Sequence, residues 1–227
     1  MTVFSKRGLD YLAGVLLIAT VATVLVTIST YPTPDTFRED ARRFLVDIVE
    51  GRNLFIVAVA FDLASNFILI PLAAVLYLVF RSHDRTLALL GSFGFLAAAV
   101  LFLVIDMVAI PLISLAEDYA GATGGQADSI LNAARAIGLM TDVAVAMGAV
   151  GMALGGLSYG LLVLTTNALP RWMGVFGIAG AIVALLMWLL FVDTDLVPVG
   201  YVGLLLIRFF FLISGLWLIW KGAREPA

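Results

Sequence analysis

Six apolar stretches, each long enough to cross a membrane, constrain this chain more than any other feature. They cover approximately residues 9–30, 54–80, 87–115, 133–165, 172–192 and 199–220. A helix needs about 20 predominantly apolar residues to cross a hydrocarbon core of about 30 Å. Because that core offers no water to backbone polar groups, segments of this length cross it as helices. The sequence therefore predicts an all-α polytopic membrane protein, with residues 1–227 forming one domain of six transmembrane helices.

The composition agrees with this class and excludes several others. Of the 227 residues, 63% are apolar and 13% are charged, whereas soluble domains average about 45–50% and about 25%. The 13 Lys and Arg against 16 Asp and Glu leave no basic excess for nucleic acid. The absence of cysteine and the single histidine, His83, exclude zinc-thiolate and multi-His centres. We expect no metal and no cofactor, and we expect the lipid bilayer as a partner; the oligomeric state is left open.

The distribution of Lys and Arg predicts how the chain lies in the membrane. Six crossings place both termini on one face. Seven basic residues collect on that face: Lys6, Arg7, Arg81, Arg85, Arg171, Lys221 and Arg224. The other face carries five basic residues and most of the acids. By the positive-inside rule, we expect a multi-pass protein of the plasma membrane with both termini in the cytoplasm.

An amphipathic helix is predicted outside the membrane, over about residues 34–50. Thr36 and Glu39 have capping-box spacing. Apolar residues then recur at helical spacing at Phe37, Ala41, Phe44, Leu45, Ile48 and Val49. We expect this helix to lie on the outer membrane surface or to cap the bundle. A simple lid is favoured over ligand binding, because the charged faces of such helices are usually just solvated.

The fourth and fifth spans are rich in small residues. Close helix contacts within the bundle are predicted at Ala144, Gly148, Gly151, Gly155, Gly156, Gly160, Gly174, Gly177 and Gly180. The fourth span exceeds the length of one crossing. It either begins above the membrane near Asp128 or breaks at the pair Gly155 and Gly156.

Four ionisable residues interrupt the spans at nearly one depth. Asp62, Asp106, Asp142 and Arg208 lie about 13–15 Å from the outer ends of their spans, at about 1.5 Å per residue. A charged side chain facing lipid at that depth costs about 2.5–3.5 kcal/mol. We therefore expect all four to face inward and to meet partners.

The expected partners define a ligand- or proton-binding site. Arg208 can neutralise one carboxylate, by a bidentate bond where geometry allows. The two remaining Asp residues then bind protons, are hydrated in a cavity, or hold a cation. Ser65 and Asn66 lie within a turn of Asp62 and enlarge the site. No spacing of dedicated ligands supports a metal.

Three passages of the chain are similar to a known family. They run from Arg7 to Gly14, from Asn53 to Leu63 and from Tyr159 to Gly174, the last containing Leu169-Pro-Arg-Trp-Met-Gly. These passages resemble the bacterial multi-pass membrane family known as domain of unknown function 4386. The resemblance covers most of the chain and implies an integral membrane protein. It supplies no established activity, so no catalytic residue is carried over.

Three functions are consistent with these features. We favour a non-enzymatic protein that binds or transports a small polar ligand, a cation or protons through the mid-membrane Asp/Arg site. One alternative is an intramembrane enzyme that uses an Asp as general acid on a lipid or isoprenoid substrate. Another is a structural or sensor subunit in which the charges fix helix register.

Overall fold

The structure is a computed structural model that describes residues 5–30, 40–191 and 197–224. Its helices are α1 (Lys6–Thr30), α2 (Ala41–Glu50), α3 (Arg52–Phe80), α4 (Arg85–Gly121), α5 (Gly125–Thr166), α6 (Arg171–Ala184) and α7 (Val197–Arg224). A 3-10 helix, Leu185–Phe191, continues α6. Within these ranges no strand occurs, and six helices are long and apolar enough to cross a membrane. The predicted all-α, six-span fold is confirmed.

The six spanning helices form a closed ring in chain order. Each of α1, α3, α4, α5, α6 and α7 packs on the next, and α7 returns to pack on α1. Successive spans run in opposite directions, so α1 begins where α7 ends, and Gly222 lies close to the carbonyl of Arg7. We call this the terminal end of the bundle. The opposite end carries α2 and the short connection between α4 and α5.

Helix α2 caps the opposite end. Its first turn is capped by Asp40, whose carboxylate accepts hydrogen bonds from the backbone N–H groups of Arg42 at 3.0 Å and Arg43 at 3.1 Å. Its apolar face is buried against α3, α4 and α5 through Phe44, Leu45 and Ile48. Of the two predicted positions for this helix, the structure shows the cap. The predicted capping box at 36–39 lies outside the described residues.

The long fourth span is a single helix. Helix α5 runs 42 residues without interruption, so the alternative of a break at Gly155 and Gly156 is wrong. It begins at Gly125, close to the predicted start near Asp128. Helix α4 likewise extends beyond its predicted end, to Gly121. These extensions are possible because the ends of α4 and α5 project past the apolar core and pack under α2.

Glycine pairs let neighbouring helix backbones approach closely. Between α4 and α5, a methyl group added to Gly94 would lie 2.6 Å from the backbone N of Gly155 and 2.7 Å from the carbonyl O of Gly151. The α1–α7 contact that closes the ring is similar, since a methyl group on Gly14 would lie 2.6 Å from the carbonyl O of Gly215. Helices α5 and α6 meet at two further pairs, Gly160 with Gly174 and Gly156 with Gly177. The predicted close contacts within the bundle are confirmed at these α5 and α6 glycines.

Replacing Gly94 by Ala should therefore destabilise the bundle. The added methyl group meets backbone atoms that cannot rotate away, so we expect the free energy of unfolding to fall by about 1–3 kcal/mol. Gly121→Ala is the matched control, because nothing lies within 4 Å of its added methyl group. Reversible unfolding in mixed micelles measures both variants. Equal stability of the two variants would contradict the close-contact role of Gly94.

A buried carboxyl pair as the candidate functional site

Asp62 on α3 and Asp106 on α4 face one another inside the bundle. Their carboxyl groups lie within hydrogen-bonding reach of each other. Asp106 is 2% exposed, and Asp62 is partly buried. Two ionised carboxylates at this separation repel strongly where water is scarce. A proton held between them converts the repulsion into a hydrogen bond, so this arrangement suits a pair that shares one proton.

Asn66 connects the two carboxyl groups. It lies one turn beyond Asp62 on α3 and is 2% exposed. Its side-chain amide nitrogen, Nδ2, donates a hydrogen bond to Asp106 Oδ2 at 3.0 Å, and the same side chain interacts electrostatically with Asp62. An amide donor stabilises whichever carboxyl oxygen carries negative charge. Asn66 therefore fixes the orientation of the pair.

Arg208 supplies positive charge from a helix that is not adjacent to α3 in the ring. It lies on α7 and attracts Asp62 electrostatically, with its guanidinium carbon 5.7 Å from the centre of the Phe211 ring. Its Nη1 atom is buried and has no hydrogen-bond partner among the described residues. The described ion pairs do not include the predicted bidentate bond. One guanidinium donor thus remains available near Asp62.

The other two predicted site residues, Ser65 and Asp142, are not among the described partners of this cluster. Ser65 donates a hydrogen bond to the carbonyl of Thr20 at 3.4 Å, which links α3 to α1. Asp142 is partly buried on α5 and has interactions of its own. It is not among the described partners of Asp62, Asp106 or Arg208. The structure brings together Asp62, Asn66, Asp106 and Arg208.

Apolar layers cover the cluster on both sides along the bundle axis. Toward the opposite end, the apolar face of α2 packs on residues including Phe55, Val59 and Leu112. Toward the terminal end, Phe95 stacks on Tyr159 with ring centres 5.6 Å apart and meets Phe211 edge-on at 5.0 Å. A cavity in this aromatic layer has a volume of only about 10 Å³, which is near the minimum for one water molecule. Among the described residues, these two layers separate the carboxyl pair from both ends of the bundle.

Sequence reasoning missed a second buried polar group, in the terminal half of the bundle. Ser92 Oγ donates to the carbonyl of Ala73 at 2.7 Å and lies 2.6 Å from Tyr159 Oη. The Tyr159 hydroxyl also reaches the carbonyl of Ala88 at 3.2 Å. These bonds tie α3, α4 and α5 together. A tyrosine within an apolar span was the available signal, because a buried tyrosine hydroxyl needs a partner.

The fold and the cluster define a class: a polytopic helical membrane protein with a carboxyl pair enclosed in its bundle. A family model matches residues 12–222, and the chain belongs to that family, described as Domain of unknown function (DUF4386). The family resemblance of the sequence is thereby confirmed. No curated protein matches the chain. No solved structure matches it either.

A double-mutant cycle should detect the attraction between Arg208 and Asp62. Arg208→Gln leaves the carboxyl pair without its cation, and Asp62→Asn removes the charge that Arg208 attracts. We expect the two changes to be coupled by about 0.5–3 kcal/mol in the free energy of unfolding.

Asp142→Asn provides the control for this cycle. Its effect should add to that of Arg208→Gln within about 0.5 kcal/mol, because the carboxylate that attracts Arg208 is that of Asp62 on α3. Unfolding in mixed micelles measures all the variants. Additivity of Arg208→Gln and Asp62→Asn would contradict the placement of Arg208.

Proposed function

We propose that this protein binds a proton between Asp62 and Asp106 and carries it, alone or coupled to a small polar solute, across the membrane. The observation that supports this is the contact between two carboxyl groups inside the bundle, one of which, Asp62, is attracted by the Arg208 guanidinium. With one shared proton, the pair carries one negative charge and Arg208 balances it. Intramembrane carboxyl groups that face a bundle interior mark proton and solute pathways in general.

A proton suits this site better than a metal ion. Among the described residues, no group of three or more His, Cys, Asp or Glu side chains could hold a metal ion. The positive charge of Arg208 beside Asp62 also opposes a second cation. A proton needs only the two carboxyl oxygens that the structure places together.

Transport would require the carboxyl pair to open to each side in turn. Two structural elements are suited to control that opening: α2, which covers the opposite end, and the aromatic layer of Phe95, Tyr159 and Phe211. Helix α2 buries one apolar face against α3, α4 and α5, so it can separate from them without breaking a transmembrane helix. The enclosed arrangement is one state of such a cycle.

Proton flux into proteoliposomes tests this proposal. An imposed potential should drive acidification in vesicles that contain the wild-type protein, reported by a trapped pH-sensitive dye. Asp106→Asn and Asp62→Asn should abolish the flux, because an amide cannot exchange the shared proton. Asp142→Asn, an identical change in another span, should retain it. Unchanged flux in Asp106→Asn would overturn the proposal.

Infrared spectroscopy measures the shared proton independently of transport. The carbonyl-stretch band of a protonated carboxylic acid should be present near neutral pH in the wild type and absent in Asp106→Asn.

The same variants distinguish the other functions that the sequence allows. Loss of turnover of a co-purified lipid would indicate an enzyme, and loss of thermal stability alone would indicate a structural role.

We further propose that the protein lies in the plasma membrane with its terminal end in the cytoplasm, as the excess of Lys and Arg at that end favours.

The chain contains no cysteine, so a single introduced thiol reports its own position. Ser82 and Thr123 are exposed at the two ends of the bundle. In intact cells a membrane-impermeant maleimide should label Thr123→Cys at once and Ser82→Cys only after permeabilisation. The reverse pattern would invert the proposed topology.

A further inference from the structure

A second site, remote from the carboxyl pair, lies at the terminal end of the bundle. Here a cavity of about 480 Å³ opens between the α3–α4 turn, the α5–α6 turn and the last turns of α7. Its polar and aromatic lining consists of His83, Asn167, Arg171, Trp217 and Lys221. The volume is within the range of about 300–1,000 Å³ that is typical of small-molecule sites.

The charged side chains that line this cavity are both cationic. Arg171 Nε donates a hydrogen bond to Asn167 Oδ1 at 2.7 Å. That bond orients the guanidinium, and it is the one hydrogen bond that the Arg171 side chain makes among the described residues. Lys221 Nζ lies 3.6 Å from Asp10 Oδ2, and Asp10 is 1% exposed behind it. The cavity is therefore lined by one guanidinium group, oriented by its bond to Asn167, and by one ammonium group. No carboxylate is among the described residues that line it.

Two further groups at this cavity can donate hydrogen bonds to an anion. Burial, together with the positive charges of Lys6 and Lys221, lowers the pKa of His83. A neutral imidazole at this position can still donate one hydrogen bond. In addition, α6 begins at this wall after Pro170, with no side chain bonded to its first-turn N–H groups, and such helix starts attract negative charge.

The depth of the cavity matches that of lipid phosphates. Trp217 forms part of its wall and packs on Trp220, with ring centres 4.8 Å apart. Trp172 lies at the same end and is 54% exposed. Tryptophans at span ends lie at the headgroup level of a bilayer. Basic pockets between helices at this level bind anionic headgroups.

We propose that this cavity is a binding site for the phosphate group of an anionic ligand, held by Arg171, Lys221 and His83. Guanidinium groups bind phosphate through paired hydrogen bonds, and the bond to Asn167 positions Arg171 for that contact. The phosphate belongs either to a membrane phospholipid or to a soluble phosphate compound. The site is independent of the carboxyl pair and of any transport through it.

Lipid retention measured on the whole chain in nanodiscs tests the lipid source. The protein is reconstituted in mixed phosphatidylglycerol and phosphatidylcholine, and native mass spectrometry counts the lipids that stay bound after release. We expect selective retention of phosphatidylglycerol by the wild type. Arg171→Gln should lower it about ten-fold, because the change removes the charge-assisted hydrogen bonds of the guanidinium to the phosphate. Arg81→Gln, the same change at an exposed residue of the same end outside the lining, should leave it unchanged.

A second variant removes the other cation without leaving Asp10 charged beside a neutral residue. In Asp10→Asn/Lys221→Gln the ion pair becomes a pair of amides, and retention should again fall.

A second experiment tests a soluble phosphate compound as the source. Inorganic phosphate should raise the melting temperature of the wild type in pure phosphatidylcholine nanodiscs, and this rise should be absent in Arg171→Gln.

Either result supports the site and identifies its ligand source. The proposal is overturned if neither probe binds, or if the Arg171 and Arg81 variants bind both probes equally. Proton flux is unaffected by the outcome, because Arg171 lies outside the carboxyl cluster.

Discussion

Backbone contact between glycine pairs is the interaction on which the rest of this structure depends. Lipid provides no hydrophobic force between helices, so close packing must hold the spans together. The contact of Gly14 with Gly215 brings α7 against α1 and closes the ring. Only in a closed ring does Arg208 on α7 face Asp62 on α3, because these two helices are not neighbours in the ring. The polar cluster is thus a consequence of contacts between residues without side chains.

The charge balance of the cluster follows from its enclosure. In a medium of low dielectric, each charge interacts strongly with its neighbours. The cluster is electrically neutral when one proton is bound between Asp62 and Asp106, because the charge of Arg208 then balances the one remaining negative charge. Loss of that proton leaves an excess negative charge, and binding of a second leaves an excess positive charge. The same residues therefore favour a single proton and oppose both other states, which makes proton occupancy responsive to any change in the distance to Arg208.

Much of the architecture could be predicted from the sequence, because it follows from length and hydropathy. Counting residues along a helix gives depth, and depth alone relates Asp62, Asp106 and Arg208 to one another. Depth does not give the direction in which a side chain points around its helix, nor the order of helices in the ring. For that reason the sequence groups Asp142, at the same predicted depth, with the other three, although the contacts that join them do not include it.

Other features depend on contacts that no local pattern encodes. The hydrogen bond from Asn66 to Asp106 joins residues 40 positions apart, and that between Ser92 and Tyr159 joins residues 67 apart. The terminal cavity is assembled from two turns and the end of the last helix. The basic residues there are visible in the sequence as a topology signal only, because their convergence on one cavity requires the folded ring.

Closure of the ring by its first and last helices also has a consequence for biogenesis. A chain is synthesised from its N terminus and its parts assemble in that order, so α1 to α6 are inserted before α7 is available. Until then, the partner face of α1 around Gly14 contacts lipid, and the carboxyl pair lacks its cation. Arrival of Arg208 completes the cluster at the same moment that Gly215 completes the ring. A chain that ends before α7 would therefore form an open bundle whose carboxyl pair lacks its cation.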